Sequence, residues 1–191
     1  MKILIYGAGN IGSLYAAKLK DAGHDVAILA RGARLHDLRE RGILLQDSRS
    51  GQKFTTRIEA VERLAPDDAY DLVLVIFPRH SVSEILPILA ANQNSPSVMF
   101  FVNNAGGFEE MIEALGRERV LLGFPGAAAV PHDEYIRYII LDQRDQPTTI
   151  GELDGSDSKR IKSIATALQS AGFPSAICPN MDAWMKTHVA E

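Results

Sequence analysis

The sequence predicts a doubly wound α/β fold built on a mainly parallel sheet. Short apolar runs alternate with segments of helical periodicity from the first residues onward. A glycine-rich turn over residues 7–12 separates the first strand from the first helix. Two later runs, residues 72–77 and 98–102, are continuously apolar, as expected of strands covered on both faces. Because parallel strands cannot be joined by tight turns, the helices between them must act as crossovers.

The first β-α-β unit is the clearest part of the pattern. Residues 2–6 form the first predicted strand, and the helix after the glycine-rich turn ends at Gly23. A second strand over residues 26–29 leads into a charged helix that ends at Gly42. We therefore expect two parallel strands connected by a right-handed crossover.

A hairpin and a third helix are expected next. Residues 43–46 and 53–57 flank a turn-rich segment, which predicts an inserted hairpin. Ser81 with Glu84 three residues later predicts a capping box at the next helix start. Pro87 should then bend that helix or lie near its end.

The second half of the chain is richer in strands. Helices are predicted over residues 108–115, and from Ser156 to the stop at Gly172. From Met181 on, the pattern begins a helix that has no stop signal. We therefore predict a dinucleotide-binding domain over residues 1–179 and the first turns of a helical substrate domain over residues 180–191. Further strands are predicted over residues 120–122, 127–130, 136–141, 148–150 and 175–178.

Composition narrows the class of protein. With 46% hydrophobic and 23% charged residues, the chain belongs among ordinary globular proteins. Its formal charge of -4 argues against a nucleic-acid partner. Cys178 is the only cysteine, which excludes an intrachain disulfide, and the five histidines show no ligand spacing, so we predict no metal site. Without a signal peptide or a membrane-length apolar run, a cytoplasmic location is expected.

The glycine-rich turn has the GxGxxG spacing of a dinucleotide site in a Rossmann-like fold. Gly7 permits the tight turn, Gly9 lets a pyrophosphate approach the backbone, and Gly12 lets helix and strand pack closely. The anion would then lie at the N-terminus of the first helix, where free N–H groups attract it. The alternative is a glycine-rich turn without a ligand. The predicted cofactor-binding residues of the turn are Gly7, Ala8, Gly9, Asn10, Ile11 and Gly12.

The residue at the end of the second strand selects the cofactor. An acidic residue there usually binds the ribose of NAD, but this chain has Arg31. A guanidinium can bind a 2′-phosphate through charge-assisted hydrogen bonds, so NADP(H) is predicted over NAD(H). The alternative is a solvated arginine that only begins a charged helix, which is what we expect of Arg34 and Arg39.

The order of the motifs resembles the ketopantoate reductase family over essentially the whole chain. MKILIYGAGNIG opens the sequence, and LAR ends at Arg31. VNNAGG follows from Val102 and TIGELDG from Thr149, and a W-x-K motif is formed by Trp184 and Lys186. The glycine-rich turn is shared by many dehydrogenases, so the later motifs carry the resemblance.

The resemblance implies reduction of 2-dehydropantoate to pantoate by NADPH, a step of pantothenate biosynthesis. Lys186 matches the lysine that donates the proton, and Asn104 matches an asparagine that orients nicotinamide or substrate. Where the family tends to have a cofactor-binding lysine, this chain has Pro78, followed by Arg79, which would replace it. Judged as isolated residues, Lys186 could instead be a solvated lysine, Asn104 a turn residue and Trp184 a packing residue.

Two other functions stay open. The chain could be a non-catalytic NADP(H)-binding sensor or regulatory module, which the departures from the family pattern at Pro78, Ala105 and Ala190 favour. It could also be a related reductase of another ketone or imine. The expected partner is a small 2-keto acid, bound between Gly9, Asn104 and the start of the final helix; neither nucleic acid nor membrane is expected, and a homodimer is left open.

Overall fold

A computed structural model describes residues 1–77, 81–102 and 107–188. Its helices are α1 (Asn10–Asp21), α2 (Gly32–Arg41), α3 (Val82–Ala91), α4 (Glu109–Leu115), α5 (Lys159–Ser170) and α6 (Met181–His188). Its strands are β1 (Lys2–Tyr6), β2 (Asp25–Leu29), β3 (Ile43–Asp47), β4 (Lys53–Thr56), β5 (Glu59–Val61), β6 (Leu72–Val75), β7 (Val98–Phe101), β8 (Val120–Phe124), β9 (Ala127–His132), β10 (Tyr135–Ile140), β11 (Thr148–Glu152) and β12 (Ser175–Ile177).

The main sheet has eight strands in the order β12-β11-β8-β7-β6-β1-β2-β5. The six strands from β8 to β5 are mutually parallel, while β11 runs antiparallel to β8. The chain leaves β1 toward β2 on one side and later returns to β6 on the other. Strand order therefore reverses at β1, and ligands of such sheets bind at the carboxyl ends of the strands around that point.

Alternate residues of the central strands pack on opposite faces of the sheet. Ile3 and Ile5 of β1 lie in the core beneath α1, α2 and α5, whereas Leu4 and Tyr6 lie in the core beneath α3, α4 and α6. Both cores consist of buried side chains, which is why the strand sequences are apolar without alternation. The predicted doubly wound α/β fold with a mainly parallel sheet is confirmed.

A second, four-stranded sheet covers the outer side of α1. Its order is β4-β3-β10-β9, with two antiparallel hairpins joined by the parallel pair β10 and β3. The Lys18 ammonium lies 5.4 Å from the ring centroids of both Phe54 and Tyr138, which anchors the helix under this sheet. The predicted hairpin is thus present, and α1 is packed between two sheets.

Three local predictions need correction. Strand β5 was not predicted, because three residues show too short a pattern; it forms at the edge of the sheet by pairing with β2. The capping box at Ser81 is wrong, since this residue has helical backbone angles and its side chain caps nothing. Helix α5 is capped by Ser158, which accepts from the Ile161 N–H, and not by Ser156, whose N–H is engaged by Asp154.

Pro87 lies inside α3 and not at its end. Within the three described ranges, no helix has both the length and the apolar character needed to cross a bilayer.

Candidate functional site

The glycine-rich turn lies at the carboxyl end of β1, where two of its glycines have no room for a side chain. Gly7 has φ +130°, and a Cβ there would lie 2.3 Å from the Ile76 carbonyl oxygen. A Cβ on Gly12 would lie 1.8 Å from the Gly7 carbonyl oxygen. By contrast, a Cβ on Gly9 would meet nothing within 4 Å. Gly7 and Gly12 are therefore required by packing, whereas Gly9 borders open space.

The start of α1 provides an anion-binding environment. Gly9 precedes the helix in an extended conformation, and its carbonyl accepts the Ser13 N–H at 2.8 Å. Gly9 has no side chain with which to cap this end, and the first turn carries no acidic residue. The N–H groups of Asn10, Ile11 and Gly12 have no intrahelical acceptor, since the first turn of any helix leaves them unpaired. The positive end of the helix dipole thus faces the space beside Gly9.

A cavity of about 350 Å³ lies on one side of the turn, between the ends of β1 and β2 and the start of α3. We call it the arginine pocket. Arg31, exposed at the start of α2, and Arg34 supply its basic groups, and Glu84 is its acidic residue. The described residues that line it are Tyr6, Ala8, Leu29, Ala30, Arg31, Arg34, Phe77, Ser81, Glu84 and Ile85.

Arg34 is more than the solvated arginine that we expected. Its Nε donates to the Ala8 carbonyl at 3.3 Å and its Nη2 to the Ser13 hydroxyl at 3.0 Å, while Asp37 accepts from Nη1. Arg34 therefore ties the first turn of α2 to the glycine-rich turn, and that prediction was wrong. Arg39 is exposed as expected, although its guanidinium also donates to the Ala60 carbonyl.

A second cavity of about 420 Å³ lies on the other side of the turn. We call it the sheet-edge pocket, because it lies at the carboxyl ends of β1, β6, β7 and β8, where β9 closes it. Phe77 lines both pockets. An extended ligand could cross the glycine-rich turn from one pocket to the other. The described residues that line it are Gly9, Asn10, Ile11, Gly12, Ile76, Phe77, Phe101, Phe124, Pro125 and Ala129.

A buried polar cluster holds the outer wall of the sheet-edge pocket. The Tyr15 hydroxyl lies 2.6 Å from the Thr148 hydroxyl, and the Gly126 N–H donates to both oxygens. Burial raises the pKa of Tyr15 far above its ordinary value, so the phenol stays neutral. Since Gly126 directly follows Phe124 and Pro125, the cluster fixes the position of that wall relative to α1.

Helix α6 packs aromatic side chains, and not its lysine, against Phe124 of the sheet-edge pocket. Trp184 and His188 are stacked at 4.4 Å, and both pack edge-on against Phe124. Lys186 lies on another side of the helix, where its ammonium donates to Asp182 at 2.6 Å. It lines a separate cavity that also includes Glu109. The structure thus brings the glycine-rich turn and Phe124 together but places Lys186 apart from them.

Two predicted site residues, Asn104 and Arg79, lie outside the described residues, as do Pro78, Ala105 and Ala190. The sequence analysis missed Tyr6 as a pocket residue. Its only sequence signal is its position directly before Gly7. In the described part of the chain, no cluster of three or more His, Cys, Asp or Glu side chains could hold a metal ion.

An open parallel sheet with a glycine-rich turn at the point where strand order reverses defines a Rossmann-like domain, the class that binds dinucleotides at this position. The family model described as "Ketopantoate reductase PanE/ApbA" matches residues 3–155. The chain belongs to this family.

Individual relatives agree with the family assignment. A 2-dehydropantoate 2-reductase of Mesorhizobium japonicum is 27% identical over 212 residues, covering 97% of this chain and 63% of the relative. An uncharacterized oxidoreductase of Bacillus subtilis, YkpB, is 23% identical over 190 residues, covering 97% of this chain and 61% of the relative. The chain therefore spans about three fifths of the length of these relatives.

Solved structures share the fold. A putative ketopantoate reductase from Ralstonia solanacearum superposes with a TM-score of 0.81 at 22% identity, covering 96% of this chain and 62% of the other. D-mandelate dehydrogenase, solved with NADH and anilino(oxo)acetate, superposes with a TM-score of 0.74 at 19% identity, covering 93% and 56%. The similarity thus extends to proteins described by more than one substrate.

Proposed function

We propose that the protein reduces a 2-keto acid with NADPH, and that the substrate is 2-dehydropantoate. The observation that carries this proposal is the uncapped start of α1 between two pockets, one basic and one largely apolar, in a chain of the ketopantoate reductase family. NADPH has the same order of parts: an adenosine whose ribose carries the 2′-phosphate, then a pyrophosphate, then the nicotinamide nucleoside.

The residues present fit this cofactor. The open space at Gly9 leaves room for a pyrophosphate at the N–H groups of α1. Arg31 would hold the 2′-phosphate in the arginine pocket, where the end of β2 carries no carboxylate to repel it. We assign the sheet-edge pocket to the nicotinamide ring. The bound cofactor would supply the hydride that adds to the keto carbon.

Lys186 is proposed as the proton donor to the keto oxygen. The hydrogen bond that it donates to Asp182 raises the pKa of its amine, which makes the paired ammonium a weaker acid. The role therefore rests on the match of Lys186 to the lysine of the W-x-K motif. To reach a substrate beside Phe124, the ammonium would have to leave Asp182. Asn104 is proposed to orient the nicotinamide or the substrate, and Arg79 to assist in holding the cofactor.

Replacing Arg31 with alanine is expected to weaken NADPH binding selectively. A charge-assisted hydrogen bond contributes about 1.5 to 3 kcal/mol, so the Kd for NADPH should rise roughly 10- to 100-fold. The Kd for NADH should stay the same, because NADH carries no 2′-phosphate. Titration calorimetry of both cofactors measures this, with Arg144→Ala on an exposed turn as the matched control. Unchanged NADPH affinity would remove Arg31 from the site.

Replacing Lys186 with alanine is expected to slow turnover strongly while leaving cofactor binding intact. Loss of a general acid lowers kcat by roughly 100- to 10,000-fold. The assay follows NADPH oxidation with 2-dehydropantoate and a panel of other 2-keto acids, including aryl ones. Lys159→Ala, an exposed lysine of α5, is the control. A variant that retains full turnover would contradict the assignment.

A non-catalytic NADP(H)-binding module is the second candidate. It is favoured by one observation: Lys186 is paired with Asp182 at a cavity that does not include the glycine-rich turn. NADPH binding by the protein without oxidation on any substrate of the panel would support this candidate over the reductase.

A further inference from the structure

The Tyr6 hydroxyl is a buried polar group whose own proton has no acceptor among the described residues, since the nearby Arg31 guanidinium can only donate. Tyr6 is only 1% exposed, yet it lines the arginine pocket. Buried hydroxyls are nearly always hydrogen-bonded, because leaving one unpaired costs roughly 1 to 3 kcal/mol. An orphan hydroxyl at a pocket wall therefore indicates a group that is satisfied by a ligand.

The Tyr6 ring is held firmly in place. It is the last residue of β1, so its backbone belongs to the sheet, and its ring packs against Phe77 with centroids 5.7 Å apart. Burial raises the pKa of Tyr6, and the charge of the nearby Arg31 guanidinium and its hydrogen bonding to the phenol oxygen offset only part of that effect. The phenol is therefore neutral at physiological pH and can donate its proton in a hydrogen bond.

The arginine pocket has a basic end and an apolar wall, and Glu84 is the acidic residue of its described lining. Tyr6 and Arg31 lie close together, whereas Leu29, Phe77 and Ile85 offer flat apolar surface. This combination fits a purine nucleoside that carries a phosphate. Its base would contact the apolar side chains, and its phosphate would accept from the guanidinium and the phenol.

We propose that the Tyr6 hydroxyl is part of the binding site and donates a hydrogen bond to the phosphate on the adenosine ribose of NADPH. This inference rests on the proposed function, and it adds a neutral donor beside Arg31 as a determinant of cofactor choice. Filling the pocket would satisfy the orphan hydroxyl, so binding removes a cost that the ligand-free protein carries.

The test is Tyr6→Phe, which removes only the hydroxyl. The Kd for NADPH and for adenosine 2′-monophosphate should rise about tenfold, as for loss of a hydrogen bond to a charged group. The Kd for NADH and for adenosine 5′-monophosphate should change less than about twofold, within the scatter of a neutral substitution. The unfolding temperature of the ligand-free variant should equal or exceed that of the wild type, because an unpaired buried group has been removed.

The control is Tyr70→Phe. Tyr70 is a buried tyrosine just before β6, at the amino ends of the parallel strands and so away from the glycine-rich turn, and its substitution should leave all four affinities unchanged. If NADPH and NADH lose affinity equally, or if neither loses any, the assignment of Tyr6 is overturned while the proposed function survives. A lower unfolding temperature for ligand-free Tyr6→Phe also overturns it, since the hydroxyl would then have a structural role. A wild-type protein that binds neither cofactor refutes the proposed function and this inference together.

Discussion

Gly12→Ala is expected to destabilise the fold itself. The new methyl group would lie 1.8 Å from the Gly7 carbonyl oxygen, which is backbone and cannot rotate away. Helix α1 would have to move off β1, and overpacking of this severity costs about 3 kcal/mol. Urea unfolding of the ligand-free protein measures the loss directly. A free energy of unfolding equal to that of the wild type would show that the close contact between helix and strand is not required.

Gly9→Ala is the matched variant. It should keep the stability of the fold but lose cofactor binding. Its methyl group would meet no protein atom within 4 Å, and its backbone is extended, so the free energy of unfolding should change by less than about 1 kcal/mol. The methyl group would instead occupy the space assigned to the pyrophosphate. We expect calorimetry to register no NADPH binding at concentrations that saturate the wild type. Normal binding by Gly9→Ala would place the phosphates elsewhere.

Glu152→Gln is expected to destabilise the fold from a position outside the cofactor region. The Glu152 carboxylate is buried at the end of β11, where it accepts from the Arg160 guanidinium and the Ser158 hydroxyl. Removing one partner of a buried pair costs about 3 kcal/mol or more, and partial exposure of Arg160 puts the expected loss near the lower end. The control is Asp157→Asn, whose exposed pair with Lys162 should contribute less than about 1 kcal/mol.

The same carboxylate should make stability depend on pH. Burial acts to raise the pKa of Glu152, but the hydrogen bonds from Arg160 and Ser158 outweigh it, so the folded pKa lies below the ordinary value. The contribution of Glu152 to the free energy of unfolding is therefore present above the unfolded pKa of 4.5 and is lost as pH falls through the folded pKa. Urea unfolding between neutral and acid pH should show a shallower decline for Glu152→Gln than for the wild type. Parallel declines would contradict this.

The Glu152 variant also separates stability from function. Since β11 runs antiparallel to β8, Glu152 pairs with Leu121 near the start of that strand, at the edge opposite the glycine-rich turn. The folded fraction of Glu152→Gln should therefore bind NADPH with wild-type affinity. The glycine and glutamate variants together distinguish damage to the cofactor site from damage to the fold.

Local patterns predicted most of the main sheet correctly. The strand over residues 2–6 and the turn that follows it were predicted at their observed positions, since apolar runs and glycines act over a few neighbouring residues. Strand β5 was missed because its three residues become a strand only by pairing with β2. The capping serine of α5 was misplaced because two candidate serines stand two residues apart, and only tertiary geometry distinguishes them.

By itself, the sequence determined the alternation of strands and helices, the glycine-rich turn, the arginine at the end of β2 and the resemblance to the ketopantoate reductases. These are properties of residue order, which depends on no distant contact. Only the tertiary structure decided that Arg34 donates to the Ala8 carbonyl, that Tyr15 contacts Thr148 and that the Tyr6 hydroxyl finds no acceptor among the described residues. These contacts depend on which side chains meet after distant segments pack together, and local sequence patterns cannot predict such contacts.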